Sequence, residues 1–496
     1  MPLAPEHVFV LMLENRSFDH LFGFSGLGGT DASTGLPTFI EGLTGNESNS
    51  LGGDSLPVTR GADYNIPVDP EHDFPNVLDQ LCGAGTSYVA PYPLINGSGF
   101  VASYGRSGGS ANPGEVMRCF DTPRQLPVLY TLAQEFALCD HWFSSLPGPT
   151  WPNRMFVHAA SSGGLDHSPT TAEIIEWEAI DGFEFRSGTV FGALARNGKR
   201  FHLYSGDEFP MVAALKGVTL FDVSRIDALL ADLKKSPFPH DYVFIEPSYN
   251  SLQDFRNSSS QHPLADVRDG EELVKTVYEA LRNSGIWEKS LLLVLWDEHG
   301  GFYDHVIPPP AVPPGDTAPG SKYNRHGFTF EQHGVRTPAI AISPLIPRNT
   351  IDHRVYDHSS VPATLEAVFG LSPLTARDAN ARNLLSLLSL GAPRMDEQEA
   401  PTHLPTASAP RAALTASASS TMADIGKVSV SRPNDPIEGS MLPAFVHAAL
   451  RQDLQVSPER KSELLAAVAG LRTRADAARY LGEVQARLRA RERSAG

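Results

Sequence analysis

Val8-Phe9-Val10-Leu11-Met12-Leu13 runs directly into Glu14-Asn15, and Leu291-Leu292-Leu293-Val294-Leu295-Trp296 runs directly into Asp297-Glu298. A run this apolar, bounded by turn signals, reads as a strand buried on both faces of a parallel sheet. In open α/β sheets, ligands sit in the crevice beyond the carboxyl ends of such strands. Glu14, Asp297 and Glu298 would then place three carboxylates in one crevice. Like charges that close repel unless a counter-ion joins them, so a bound cation is the natural solution.

Working outward, residues 199–204, 242–245 and 338–342 also read as strands. Between them, 126–136 carries Leu129, Leu132, Ala133 and Phe136 at helical spacing, and 271–283 repeats the pattern with Leu273, Val274, Val277 and Leu281. Alternating strands and helices predict an α/β fold, a mostly parallel sheet sandwiched by helices. Residues 24–116 are rich in Gly, Pro, Ser and Asn and too long for a bare loop, so they read as a lid or insertion over the crevice. The catalytic body is expected over 1–395. Residues 396–435 contain an Ala/Ser/Thr/Pro-rich flexible linker, and 436–496 form a small helical tail. In that tail Ser457-Pro458 marks a helix start, and Leu464, Leu465, Val468 and Leu471 mark one face. A second helix from about Thr473 would complete a hairpin or partner-binding tail.

Composition narrows the function classes. Lys+Arg 40 against Asp+Glu 57 gives a net charge of −17, with 41% hydrophobic and 20% charged residues. Such acidity excludes a nucleic-acid binder built on a basic stripe, and electrostatic docking on anionic membranes. At most a peripheral contact with zwitterionic lipid is left, and no stretch is long and apolar enough to span a bilayer. Cys82, Cys119 and Cys139 allow one disulfide with a thiol left over, not a disulfide framework. Cys139 reads as a buried structural thiol. No signal peptide is visible, so the protein is expected to be cytoplasmic or a mature form whose leader has been removed.

Pro147-Gly148-Pro149-Thr150-Trp151-Pro152-Asn153-Arg154 is the next informative stretch. Pro and Gly would hold Thr150 in a fixed turn. A hydroxyl is a poor nucleophile at neutral pH unless a base or a metal activates it, and a cation on Glu14 and Asp297 would do so. The plainer reading is that Thr150 caps a helix starting at Pro152.

Taken together the motifs resemble a known family. Glu14-Asn15-Arg16-Ser17-Phe18-Asp19-His20, the Thr150 stretch, and Asp297-Glu298-His299-Gly300-Gly301-Phe302-Tyr303-Asp304-His305-Val306 look like the phosphoesterase family of bacterial phospholipases C, plant non-specific phospholipases C and certain bacterial acid phosphatases. Ile245-Glu246-Pro247, Gln261-His262-Pro263, Gly334-Val335-Arg336-Thr337-Pro338 and Asp357-His358-Ser359-Ser360-Val361 follow in the family's order, over roughly residues 5–390. The resemblance implies an alkaline-phosphatase-like fold. It implies Glu14, Asn15, Thr150, Asp297 and Glu298 as ligands of one divalent metal ion, and Thr150 as nucleophile. His72, in Asp69-Pro70-Glu71-His72, matches a family histidine near the phosphate, and His262 a second; a third falls near His202. One departure is plain: residues 258–261 replace the Asn-Asp pair that usually precedes the His-Pro. Arg336 has two readings, a phosphate clamp and a structural ion pair. Arg16 and Arg154 read as residues that fix loops.

The expected roles follow. Thr150 attacks phosphorus and forms a phospho-threonine. Asn15 donates to an equatorial oxygen, and His72 and His262, if protonated, stabilise the dianion or protonate the leaving alcohol. A carboxylate, amide and hydroxyl shell accommodates Zn²⁺, Mn²⁺, Mg²⁺ or Ca²⁺. The substrate expected is a phosphoester, phospholipids included. Phosphomonoester hydrolysis of the acid-phosphatase kind is the alternative, and a non-catalytic phosphate or head-group binder is the alternative of another class. A sulfatase is disfavoured, since the Pro-Asn-Arg after Thr150 has the wrong spacing for its modifiable residue. A lipase would carry an apolar rim, for which Tyr88, Tyr92, Leu94, Phe100 and Val101 are candidates; the same residues would equally serve as the insertion's own core.

Overall fold

The two quoted runs are adjacent parallel strands in the computed structural model, which describes residues 4–107, 112–180, 182–317, 321–407 and 424–495. In chain order the sheet strands are β1 (His7–Leu13), β2 (Gly28–Asp31), β3 (Pro37–Phe39), β4 (Ala137–Cys139), β5 (Phe201–Ser205), β6 (Val223–Arg225), β7 (Tyr242–Glu246), β8 (Ser290–Trp296), β9 (Ala339–Ile342) and β10 (Thr350–Asp352). They form a 10-stranded sheet in the order β6-β5-β7-β1-β8-β9-β4-β10-β2-β3. Pairing is parallel except where β9 runs between β8 and β4 and where β3 closes the edge. The reversal of β9 has a local cause. The chain leaves β8 at its carboxyl end and stays there, since Arg336 bonds Asp304 at 3.0 Å. It therefore re-enters the sheet from that end, with Ala339 opposite Leu295.

Alternate residues of β1 face two cores. Val8, Val10 and Met12 join Leu291, Leu293 and Leu295 on one face, while Phe9, Leu11 and Leu13 join Leu292, Val294 and Trp296 on the other. Burying each such side chain is worth about 1.5–3 kcal/mol, so the central pair of strands is the most strongly specified part of the fold. The expected helices are present as Pro127–Glu135 and Val267–Arg282. The second starts earlier than the apolar periodicity indicates because Asp266 caps it, its carboxylate accepting from the Arg268 amide.

Three expectations about chain organisation need correction. Within 24–116, β2 and β3 belong to the main sheet, and the rest builds a small core from Val58, Ile66, Val77, Leu81, Phe100 and Val101. Phe100 and Val101 are thus internal and form no lipid rim. Tyr88 and Tyr92 pack on Phe74 and Phe328, and only Leu94, 87% exposed, stands free.

The flanks of the 396–435 linker are docked. Ala400 and Leu404 bury their side chains, and the Tyr278 hydroxyl and Arg282 donate to the carbonyls of Pro401 and Ala400. Residues 408–423 lie outside the described residues.

The 436–496 tail is more than a hairpin. Helix Leu442–Val456 precedes Lys461–Ala469 and Arg474–Ala495, and Leu442, Phe445, Val446, Leu450, Leu481 and Val484 share the core of Val8 and Val10. Buried Glu178 clasps His447 at 2.7 Å and Arg451 at 3.0 Å across the junction. The segment completes the body because one sheet face needs its apolar cover.

All three cysteines are free thiols, with Cys119 and Cys139 buried. Among the described residues no helix is long and apolar enough to cross a membrane.

Candidate active site

Leu13 is the register partner of Trp296, so Glu14 and Asp297 leave the sheet side by side. The loops after them are cross-bonded. The Asn15 amide donates to Asp297 Oδ1 at 3.0 Å, and the Arg16 amide donates to the Glu298 carbonyl at 3.0 Å. Asn15 itself has φ +62°, a left-handed conformation that Asn tolerates better than most residues. Gly300 has φ +64°, and a Cβ there would lie 2.2 Å from the Asn15 carbonyl oxygen, so only glycine lets the two loops meet. The Gly300 amide holds one Glu298 oxygen at 2.8 Å, and His299 sits 3.3 Å from the same oxygen with its other nitrogen on Gln80. Buried His358 accepts from the Trp142 indole on Nδ1, which leaves Nε2 to donate to the Asp297 carbonyl at 2.5 Å. The motif after Asp297-Glu298 admits two readings of His299, an orienter of carboxylates and a satisfied loop histidine, and its place 3.3 Å from Glu298 fits the first; no motif gave His358 or Gln80 such a task.

Thr150 enters from a third direction. The turn before it is locked by Asn153, whose amide donates to the carbonyls of Leu146, Gly148 and Pro149 while its Oδ1 accepts from the Leu146 amide. The helix begins at Thr150 itself, with Pro149 at the N-cap and no side-chain capping bond. The capping reading for Thr150 therefore fails: the residue is 3% exposed and its buried hydroxyl has no hydrogen-bond partner. One turn along the same face, Arg154 donates to Asp297 Oδ2 at 2.9 Å and to the Leu13 carbonyl at 3.0 Å, and lies 4.0 Å from Glu14. This guanidinium ties the Thr150 helix to both acidic strand ends.

The donor atoms themselves argue for a cation. Both carboxylate oxygens of Glu14, Asn15 Oδ1, Thr150 Oγ1 and Glu298 Oε1 are all buried without a hydrogen-bond partner. Buried polar atoms are normally satisfied, and a cluster of oxygen acceptors without donors is what a hard divalent ion fills. Burial, then the Asp297 charge, pushes the Glu14 carboxyl well above its ordinary range. Burial likewise raises Asp297 to about 6 against the opposing pull of Arg154. Glu298 is held below the ordinary value because His72 and His299 outweigh its burial. Asp19, Asp304 and His305 also converge, but that group is already neutralised. Arg336 bonds Asp19 at 2.9 Å and Asp304 at 3.0 Å, and His305 takes the remaining Asp19 oxygen at 2.6 Å.

Thr150, His72 and His262 line one crevice of 1010 Å³, whose walls also carry Asp69, Asp254, Arg256, Arg432, Glu438 and Arg474. His72 donates from Nδ1 to the Pro70 carbonyl at 2.7 Å, so Nε2 accepts from the Asn15 amide at 3.0 Å and the ring is neutral in that arrangement. Glu298 and Asp69 pull it towards protonation against burial, up to about 9. A cation beside Glu298 would cancel that pull. His262 accepts on Nδ1 from the Leu264 amide, which leaves its Nε2 proton facing Asp69 at 3.4 Å. Burial outweighs Asp69 and lowers the His262 pKa, so the ring is neutral at pH 7 rather than the cation that a dianion clamp needs. Arg16 anchors this strand-end loop through the carbonyls of Gln261 and His262, as its loop-fixing reading anticipates.

Two predicted residues lie elsewhere. His202 sits inside β5 opposite Val243, bonds Ser224 at 2.8 Å and stacks on His240; it does not line the crevice. Arg336 is wholly buried in the Asp19–Asp304 network and also donates to the carbonyls of Glu41 and Asp140. Its structural reading holds, and the phosphate-clamp reading does not. Asp69 and Phe255, both against His262, escaped sequence reasoning; the nearness of Asp69 to His72 in the chain was the only available signal.

The chain is similar to known proteins over most of its length. The model of the Phosphoesterase family matches residues 5–372. Non-specific phospholipase C3 of Arabidopsis thaliana is 37% identical over 412 residues, covering 78% of this chain and 74% of that protein. Phospholipase C B of Mycobacterium tuberculosis is 30% identical over 435 residues, covering 78% of each. Among solved structures, the phosphonate monoester hydrolase of Agrobacterium radiobacter matches with a TM-score of 0.32 and 12% identity, over 53% of this chain and 72% of that one.

Proposed function

The chain belongs to the Phosphoesterase family and is a phosphoric ester hydrolase, and from that premise we propose a metal-dependent hydrolysis of phospholipase C type through a phospho-threonine on Thr150. The observation that carries this reading is the set of orphaned buried oxygens on Glu14, Asn15, Thr150 and Glu298.

Glu14, Asn15, Thr150, Asp297 and Glu298 would hold the ion, with Asp297 sharing its charge with Arg154. Bound there, a divalent cation supplies Lewis-acid stabilisation of an alkoxide and of a phosphoryl oxygen. The chain's own residues do the rest. The rigid turn set by Asn153 fixes Thr150 Oγ1 for in-line attack, which forms the Thr–O–P bond as the bond from phosphorus to the leaving oxygen breaks. The helix that starts at Thr150 points its free amides at the incoming negative charge. In its protonated, imidazolium form, which Asp69 favours, His262 gives its Nε2 proton to the leaving alkoxide and is left neutral, while the Thr150 proton is lost to solvent. Water then attacks phosphorus as the bond to Thr150 Oγ1 breaks, releasing phosphate or its monoester; one water proton goes to neutral His262 and the other to the departing Thr150 oxygen. His72 and Asn15 brace one another beside Glu298 and fix that wall.

The walls of the crevice favour a polar substrate group. Arg256, Arg432 and Arg474 line it together with Asp254 and Glu438, a mixture of charges suited to a zwitterionic or hydroxylated head group. The internal placement of Phe100 and Val101 favours, as a second reading, soluble phosphomonoesters of the acid-phosphatase kind. The test is hydrolysis of p-nitrophenyl phosphate, p-nitrophenyl phosphorylcholine and phosphatidylcholine, by wild type and Thr150→Ala, with and without chelator. Turnover of the choline diesters identifies the phospholipase reading. Turnover of the monoester alone identifies the phosphatase reading. Full activity of Thr150→Ala or in chelator removes the mechanism.

A further inference from the structure

The segment after residue 423 lies beyond the stretch matched by the family model, yet it reaches the crevice. It does so at one loop. Between β7 and His262 the backbone is left-handed at Asn250, Asp254, Phe255, Asn257 and Gln261, with φ between +49° and +69°. Such conformations cost energy in non-glycine residues and persist only where surrounding contacts over-determine them. The contacts here come from the C-terminal segment. The Ser431 amide donates to the Leu252 carbonyl at 2.9 Å. Arg432 bonds both Asp254 oxygens, at 2.8 and 3.3 Å. Arg474, only 6% exposed, bonds Asp254 at 2.9 Å, the Ser251 carbonyl at 2.7 Å and the Ser431 carbonyl at 2.9 Å.

The next residue in the loop carries the consequence. The Phe255 ring lies flat on the His262 imidazole, with centroids 3.5 Å apart and planes 6° apart. His262 has Leu264 on one nitrogen and Asp69 near the other, so the stacked ring fixes the remaining freedom, rotation out of the plane.

We propose that Arg432 and Arg474 lock Asp254 so that Phe255 holds His262 in its proton-transfer position. The C-terminal segment thereby becomes part of the active site, and Asp254, Phe255 and Arg474 are positioning residues. This rests on the proton-transfer role of His262 proposed above.

The experiment is a set of double-mutant cycles in the full chain with phosphatidylcholine as substrate, whose alkoxide leaving group needs the proton. His262→Ala should lower kcat about 100-fold. Phe255→Leu and Arg474→Ala should each lower kcat roughly 10-fold with KM nearly constant, since a small misplacement of a reacting group is costly. Phe255→Tyr, which keeps the stack, should restore the rate. Neither Phe255→Leu nor Arg474→Ala should cost anything further in the His262→Ala background. Full kcat in both single variants alongside an impaired His262→Ala overturns this inference and leaves the mechanism standing, as do losses that multiply in the His262→Ala background. A fully active His262→Ala removes the proton-transfer role itself, and this inference with it. Should Arg474→Ala fail to fold, Asp254→Asn enters the same cycles from the loop side.

Discussion

Leu13 and Trp296 face each other across the parallel pair β1–β8, and each is followed by an acidic residue. That single register match brings Glu14 to Asp297 across 283 residues of chain without any loop having to find its way there. A one-residue slip would turn each strand's apolar set to the wrong core and would part the two carboxylates, so the site is as firmly specified as the sheet.

Metal retention tests this directly. Glu298 offers one orphaned oxygen and its charged neighbours are the histidines His72 and His299, which can turn neutral, so Glu298→Gln should stay folded and lose bound metal. The check is metal content by mass spectrometry beside circular dichroism. Wild-type metal content in this variant would exclude Glu298 as an essential ligand. Asp297→Ala should also lose metal but with lower stability, because it strands buried Arg154.

Thr150→Ala should lower turnover by roughly 10³-fold or more with the thermal transition retained. The hydroxyl makes no bond that the fold needs, so its removal is a clean subtraction. Thr150→Ser should keep measurable activity, and acid-quenched wild type should carry label on Thr150 after exposure to a ³²P-phosphoester.

Arg336→Ala should destabilise the protein by about 3–5 kcal/mol, because Asp19 and Asp304 would be left as buried, unpaired charges. Denaturant unfolding measures this. Any folded fraction should bind substrate with unchanged KM; a selective rise in KM without loss of stability would restore the phosphate-clamp reading. His202→Ala, away from the crevice, should leave both kcat and KM unchanged.

The pH profile follows from His262. Burial lowers its pKa against the pull of Asp69, and it must be protonated to serve the leaving group. Its protonated fraction, and with it kcat/KM, should therefore fall as pH rises through a value below the ordinary histidine range. Asp69→Asn removes the raising influence and should move that limb to lower pH. His262→Gln should abolish it. A limb that ignores both substitutions would assign the proton to another group.

The parts of the site legible in the sequence were those whose chemistry sits at the end of a strong local pattern. β1 and β8 announce themselves by unbroken apolar runs, and the Pro-Gly-Pro turn announces Thr150. Arg336 was ambiguous because an Arg-Thr-Pro before a strand looks the same whether it meets phosphate or carboxylate. Only the fold shows Asp19 and Asp304 arriving around it. His202 was misplaced because a histidine inside a strand carries no motif that reports its distance from the strand's end. The first half of helix Leu442–Val456 is apolar but for His447, a signature of burial that the sequence displayed without revealing its partner, the face of the sheet.

That arrangement bears on how the polypeptide is made. Val8 and Val10 leave the ribosome long before Leu442, Phe445 and Val446, which share their core. During translation one side of the nascent sheet stays open to solvent, an invitation to chaperones and to aggregation. Emergence of helix Leu442–Val456, rather than completion of the sheet, should therefore set the moment at which the enzyme first becomes active.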